Sequence, residues 1–126
     1  MFTKRNMPDH FLARIKQKGA LLAKGRLNAV QFDALFTDNL YEEVGAHAIR
    51  MAALLKKAFA DKGYPFHMDS PTNQQFVILT DGQMQRIAKH AVFSRWEKLP
   101  DGRTVVRFAT SWATTEEDIR ALSEIL

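Results

Sequence analysis

The fold of this chain is decided near its end by residues 105–118, VVRFATSWATTEED. The first half of this stretch predicts a β-strand, because β-branched and aromatic residues dominate it, and it carries one arginine, Arg107, in an apolar run. The second half predicts a helix start, since Thr114 and Glu117 have the Thr-x-x-Glu spacing of a capping box. A guanidinium inside a strand costs desolvation free energy unless an anion meets it. Arg107 therefore predicts an anionic partner.

The nature of that partner has two interpretations at this point. Successive strand residues point to opposite sides, so Arg107 points away from the helices if Val106 and Phe108 pack against them. Arg107 then either holds a ligand or faces solvent and pairs with Glu97 across a hairpin. Trp112, just after the strand, also has two interpretations: it is either a core residue or part of the wall of a pocket.

The rest of the chain alternates helical and strand patterns in an order that defines the fold class. The predicted elements are helices over residues 9–19, 20–36 and 39–61, a strand over 74–79, a short helix over 81–90 with a Thr80/Gln83 capping box, a hairpin over 91–98 and 103–110, and a helix over 115–126. This order predicts an α+β fold, with a small, mainly antiparallel sheet of about three strands, helices on one face, and two or three helices before it.

Two of the helices differ in the surface they should bury. The third has one apolar stripe, formed by Tyr41, Val44, Ala48, Met51, Leu55 and Phe59. In the second, over residues 20–36, apolar residues extend around more than one side. In a domain this small, that pattern indicates a neighbour outside the chain.

Composition restricts the class of protein. The chain has 126 residues, 46% of them hydrophobic and 25% charged, which suits one globular domain. No apolar run approaches the roughly 20 residues that a membrane helix needs, and neither a signal-peptide core nor any cysteine is present. We therefore expect a cytoplasmic protein that does not enter a membrane.

The net charge of +4 is concentrated at the start of the chain. Seven lysines and arginines face only Asp9 over residues 1–26, so this segment carries +6 and the remainder −2. Such a segment is either a solvated helix face or a surface for RNA or an acidic partner. No aromatic ladder or RNA-binding motif accompanies it, so nucleic acid is the less favoured partner.

No group of residues has the spacing of a metal site or a catalytic motif. The four histidines are isolated, and the chain lacks a GxSxG elbow and a glycine-rich phosphate loop. The acid runs 42–43 and 116–118 fall in first helical turns, where they favour the helix dipole. We expect no metal and no catalytic residue in this chain.

Three motifs resemble one enzyme family. Residues 107–118, RFATSWATTEED, together with 15–27, IKQKGALLAKGRL, and 71–74, PTNQ, resemble the C-terminal part of the threonine aldolase and aromatic amino acid β-eliminating lyase family. These are pyridoxal-phosphate enzymes of the aspartate aminotransferase fold, fold type I. The resemblance implies that residues 1–126 form one domain, the small C-terminal one, with a compact core over 36–126 and interface helices over 1–36.

In this family the small domain supplies an arginine for the α-carboxylate of the amino-acid substrate, and that position falls on Arg107. A planar, bidentate fork suits this role because it fixes the amino acid about its Cα. The resemblance also matches Lys24, with Arg26 or Lys16, to a basic segment that reaches the cofactor or substrate region of a neighbouring subunit.

The resemblance places Met1 just after the cofactor-binding lysine of the large domain, so that lysine and most of the phosphate cradle would belong to a missing domain. We expect the parent enzyme to be a pyridoxal-phosphate lyase and this chain alone to bind no cofactor and to be inactive. The resemblance also implies a homo-oligomer formed through residues 20–36. The alternative is a free-standing basic module that binds RNA or an acidic protein.

Overall fold

The computed structural model describes residues 4–126. The chain divides into two compact units, Met1–Leu40 and Tyr41–Leu126. Each unit is described by itself below. The assignment of one domain with a core over 36–126 stays a prediction.

The first unit contains a 3-10 turn, Lys4–Asn6, and the helices α1, Phe11–Gln17, and α2, Gly25–Leu35. Helix α1 begins two residues later than predicted, because His10 has a left-handed backbone with φ 58°. Helix α2 begins at Gly25, so the predicted helical start at residue 20 is wrong. Apolar spacing continues through residues 20–24, but no Ser, Thr, Asp or Asn among them marks a helix start, and α2 itself begins without a side-chain cap at Lys24.

The second unit is built on the long helix α3, Leu40–Asp61. Asp38 and Asn39 precede it with φ of 52° and 60°, a region that these two residue types tolerate better than most. Gly63 ends it with φ 75°, and Tyr64 N donates to Phe59 O at 3.0 Å, which confirms the predicted glycine cap.

Three strands form one antiparallel sheet: β1, Gln74–Leu79; β2, Ser94–Lys98; and β3, Thr104–Ala109. Their order is β1-β3-β2, so β3 is central. Helix α4, Asp81–Ile87, follows β1, and helix α5, Glu116–Ile125, follows β3. The predicted α+β fold is confirmed, and β1 has the predicted bounds. The first strand of the hairpin begins at residue 94 rather than 91.

The core lies between one face of this sheet and the helices α3, α4 and α5. Val77 pairs with Val106 and Gln75 with Phe108 across β1 and β3, and all four side chains are buried. The core cluster consists of Leu55, Ala58, Phe59, Tyr64, Val77, Leu79, Met84, Ile87, Val106, Phe108, Ile119 and Leu122. Of the predicted α3 stripe, Ala48, Met51, Leu55 and Phe59 are buried, whereas Val44 is half-buried and Tyr41 is exposed.

The two predicted capping boxes have different outcomes. The Thr80/Gln83 box is present: Gln83 N donates to Thr80 Oγ1, and Thr80 N donates to Gln83 Oε1 at 2.8 Å. At α5 the prediction is wrong by one residue, because the box consists of Thr115 and Asp118. Thr114 is not free for this role, since its Oγ1 accepts from Ser111 N at 3.0 Å in the preceding loop.

Across residues 4–126, no helix combines the length and the apolarity required to cross a membrane.

Candidate functional site

Arg107 lies in the middle of the central strand, on the sheet face opposite the core. Its neighbours across the strands are Phe76 on β1 and Ser94 on β2. Nη1 donates to Gln74 Oε1 at 3.2 Å, and Nη2 donates to Ser94 Oγ at 3.4 Å. Both outer strands therefore hold the guanidinium, which remains half-exposed.

Two aromatic rings complete the surroundings of Arg107. Its Cζ lies 5.4 Å from the ring centre of Trp96, within the range of a cation–π contact. Phe76 meets the same indole edge-on, with ring centres 5.3 Å apart and planes at 73°. A β-bulge between Arg95 and Glu97 accompanies this placement of Trp96. We call Gln74, Phe76, Ser94, Trp96 and Arg107 the outer-face cluster.

The charge of Arg107 meets no carboxylate within the part of the chain that the structure describes. The ion pairs there are Lys56–Asp69, Lys57–Asp61 and Arg103–Asp101. Glu97, the alternative partner predicted across the hairpin, lies opposite Val105 instead. A guanidinium has five N–H donors and the two bonds above use two of them, so the remaining donors can hold an anionic oxygen.

Two of the motifs that carry the family resemblance meet at this point. Gln74 is the last residue of PTNQ, and Arg107 is the first of RFATSWATTEED. Asn73 ties the same segments together, because its Nδ2 donates to Thr110 O at 2.7 Å and its own carbonyl accepts from Thr110 N at 3.0 Å. These bonds fix the register that brings Gln74 next to Arg107.

Sequence reasoning missed the other four members of the outer-face cluster. The available signal was the two-residue period within each strand, which places residues 74 and 76 on one side of β1 and residues 94 and 96 on one side of β2. This period identifies the neighbours of Arg107 only when the pairing register of the strands is known, because Gln74 and Ser94 are 33 and 13 residues away from Arg107 in sequence.

Trp112 does not belong to the core, because 71% of it is exposed. A cavity of about 320 Å³ opens near this loop, between α3, the end of β3 and α5. Its lining includes Phe108, Thr114 and Asp118, but neither Trp112 nor Arg107. Hydrogen bonds from the backbone and side chain of Thr115 lower the pKa of Asp118, so this carboxylate is engaged in capping α5.

The other predicted site residues, Lys24 and Arg26, lie in the first unit at the start of α2, and both are exposed. They line one open groove of about 650 Å³ with Leu27 and Val30. No acidic residue occupies the first turn of α2. Positive charge at this helix end opposes the helix dipole, so the two basic residues do not stabilise α2.

Helix α2 buries none of its residues. Its apolar side chains are 39–66% exposed at Leu27, Val30, Phe32 and Leu35, and the Phe36 that follows is 64% exposed. The rings of Phe32 and Phe36 stack on each other, with centres 5.9 Å apart. This surface is much more apolar than a solvated helix face requires.

Within residues 4–126, no three His, Asp or Glu side chains come together in a group that could hold a metal ion.

The fold defines the class of protein: the chain has the fold of the small domain expected for fold-type I pyridoxal-phosphate enzymes. Among solved structures, the chain is similar to threonine aldolase from Leishmania major, with a TM-score of 0.84 and 37% identity. That match covers 94% of this chain but 34% of the aldolase chain, so this chain spans about a third of that protein's length. The predicted resemblance to the threonine aldolase family is confirmed.

A second match shows the fold alone. It is a serine palmitoyltransferase from Sphingomonas wittichii, with a TM-score of 0.50 and 19% identity, covering 64% of this chain and 22% of that one. No protein-family model matches the sequence, and no curated protein sequence matches it.

Proposed function

We propose that this chain is the C-terminal domain of a pyridoxal-phosphate lyase of the threonine aldolase or β-eliminating type, in which Arg107 binds the α-carboxylate of the amino-acid substrate. The observation that carries the proposal is the setting of Arg107, which neutral side chains hold in place while its charge stays uncompensated. A structural arginine at a partly buried position would be expected to pair with a carboxylate.

The geometry suits a carboxylate in particular. Gln74 and Ser94 approach different nitrogens of the guanidinium and leave an N–H on each, besides Nε–H. Two parallel N–H groups match the two oxygens of a carboxylate, which fixes direction as well as distance. This grip fixes the carboxylate end of an amino acid, and with a second anchor on the molecule it restricts rotation about Cα, which lets an enzyme choose which bond to break.

The described lysines do not fit the cofactor-binding role. A Schiff-base lysine depends on a desolvated site that lowers its pKa. From residue 5 onward every lysine is exposed except Lys56, which is half-buried and pairs with Asp69. We therefore assign the cofactor lysine to a large domain outside this sequence, and we derive no chemical step from the cofactor here.

Lys24 and Arg26 are proposed to reach the cofactor or substrate region of a neighbouring subunit. Their position supports this role, because they oppose the dipole of α2 and so have no stabilising function within the helix. An anionic group outside the chain would remove that conflict.

The apolar surface of α2 is proposed to be covered by the large domain and by a second copy of the enzyme. Residues 20–36 would then form the homo-oligomer interface that the resemblance implies. The competing function, a basic module for RNA or an acidic protein, has the exposed lysines and arginines of residues 5–26 in its favour. The confirmed family resemblance over 94% of the chain makes it the weaker candidate.

Absorbance spectroscopy tests the assignment of the cofactor to another domain. After addition of pyridoxal phosphate, this chain should develop no stoichiometric aldimine band and should not cleave threonine. Specific aldimine formation with turnover would refute the assignment.

Kinetics of the parent enzyme test the role of Arg107. Arg107→Lys should raise KM and lower kcat/KM, because a point charge replaces a fork. Arg103→Lys is the matched control, since Arg103 pairs with Asp101 next to the hairpin turn. Full activity of the Arg107→Lys enzyme would end the carboxylate assignment.

A further inference from the structure

Trp96 is held in place on the outer face of the sheet without serving the core. It is 57% exposed, although Phe76 packs against it edge-on and Arg107 stands over its ring. A large indole that leaves more than half of its surface in water contributes less to folding than a buried one would. Stability alone therefore does not explain the position of Trp96.

The backbone of β2 is bent at this residue. The pairing passes from Arg95 opposite Val106 to Glu97 opposite Val105, so the strand has an extra residue at Trp96. Bulges of this kind re-aim a side chain, and they recur beside binding sites. Here the bulge coincides with an indole next to the one arginine in the described residues of β3.

The outer face next to Trp96 combines apolar side chains with one exposed carboxylate, Glu97, which lies opposite Val105. Phe76, Ile78 and Val105 follow Trp96 on the outer face, according to the pairing of β1 with β3. Phe76 and Ile78 are half-buried, and Val105 is fully buried. A molecule whose carboxylate binds Arg107 would thus meet the partly exposed hydrocarbon of Phe76 and Ile78 next to the guanidinium on this side.

We propose that Arg107 and Trp96 form one composite site, which selects carboxylates that carry an apolar and preferably aromatic body. The inference rests on the proposed carboxylate role of Arg107 and specifies its substrate class. The carboxylate takes the N–H groups that Gln74 and Ser94 leave free, and the body of the molecule lies along the exposed part of the indole. Trp96 also keeps the guanidinium in place through the cation–π contact.

Two carboxylates that differ only in the body test this inference on the full chain. Acetate and phenylacetate are titrated separately, while the Nε–Hε resonance of Arg107 in a nitrogen-15 spectrum reports binding at the guanidinium. Phenylacetate should bind about three- to tenfold more tightly than acetate, the size of effect that one aromatic contact supplies. Equal dissociation constants would overturn the composite site and leave the carboxylate role standing.

Variants separate the two parts of the site. Trp96→Leu should bring the ratio of the two dissociation constants close to one, with acetate binding weakened because the cation–π contact is lost but still detectable. Arg107→Gln should abolish binding of both. Trp112→Leu is the matched control, because it removes the other tryptophan, which is 71% exposed and lies outside the outer-face cluster. The control should keep the wild-type ratio.

The remaining outcomes each decide one claim. An unchanged ratio in Trp96→Leu refutes the selection by Trp96 and leaves the proposed function intact. Acetate binding that survives Arg107→Gln, or an Arg107 resonance that neither carboxylate moves, refutes the carboxylate role and the composite site together.

Discussion

Truncation of Phe59 to alanine should lower the free energy of unfolding by about 3–5 kcal/mol, the range for buried Phe→Ala changes. Phe59 is fully buried on α3, and its ring centre lies 5.0 Å from that of Phe108 and 5.4 Å from that of Tyr64. Removal of the ring from the core accounts for about 1.5–3 kcal/mol, and each lost ring contact adds about 0.5–1.5 kcal/mol. The helix and the sheet cannot close the resulting cavity without displacing other core residues.

Urea denaturation followed by circular dichroism measures this change. The midpoint should fall with little change in the slope, because the surface exposed on unfolding stays nearly the same. Trp112→Ala is the control: it removes a larger ring from a position that is 71% exposed, and it should change stability by less than about 0.5 kcal/mol. A loss below about 1 kcal/mol for Phe59→Ala would refute the packing of α3 on Phe108, and with it the assignment of Arg107 to the opposite face.

Three further predictions concern the caps, the α2 surface and the basic segment. Asp118→Ala should destabilise the chain at neutral pH and flatten the acid dependence of its stability. Hydrogen bonds from Thr115 lower the pKa of Asp118 below the usual 3.8, so its stabilisation is present above that value and is lost as the pH falls through the lowered pKa. Glu117→Ala, which removes a first-turn carboxylate but no cap, should destabilise the chain less. Val30→Asp should shift the sedimentation of concentrated protein toward the monomer, and a wild-type chain that is already monomeric would contradict the proposed interface. RNA binding at physiological ionic strength should be weak and nonspecific, and tight binding with a steep salt dependence would instead favour the basic module.

Local sequence chemistry predicted the second unit well and the first unit less well. Strand β1 was predictable to the residue because turn-forming residues on both sides bound a short β-branched and aromatic run, 74–79. The start of α2 was not, because apolar spacing continues through residues 20–24, where no capping side chain begins a helix. The capping box of α5 lies one residue later than predicted because the Thr114 hydroxyl already accepts a hydrogen bond from Ser111 N. Sequence spacing alone does not reveal this contact.

Local sequence chemistry predicted the candidate site only as Arg107 with an anionic partner, and the family resemblance added the α-carboxylate. The residues that hold Arg107 come from two other strands, and their identity depends on the register. Two contacts between Thr110 and residues distant in sequence support that register. Thr110 Oγ1 donates to Ala48 O at 2.7 Å, and the Thr110 carbonyl accepts from Asn73 Nδ2. A shift of one residue in β1 would replace Gln74 by a residue from the core face.

The central position of β3 explains why an arginine can be held here without an ion pair. On an edge strand, the guanidinium could extend into water and would keep its rotational freedom. Between β1 and β2 it receives one neutral acceptor from each side, Gln74 and Ser94, together with the ring of Trp96. Neutral acceptors fix the orientation of the guanidinium but leave its charge uncompensated. A glutamate in place of Gln74 would fix the orientation and also neutralise the charge. The outer-face cluster thus keeps an oriented positive charge available to an anion, and this separation of positioning from neutralisation is what the role proposed for Arg107 requires.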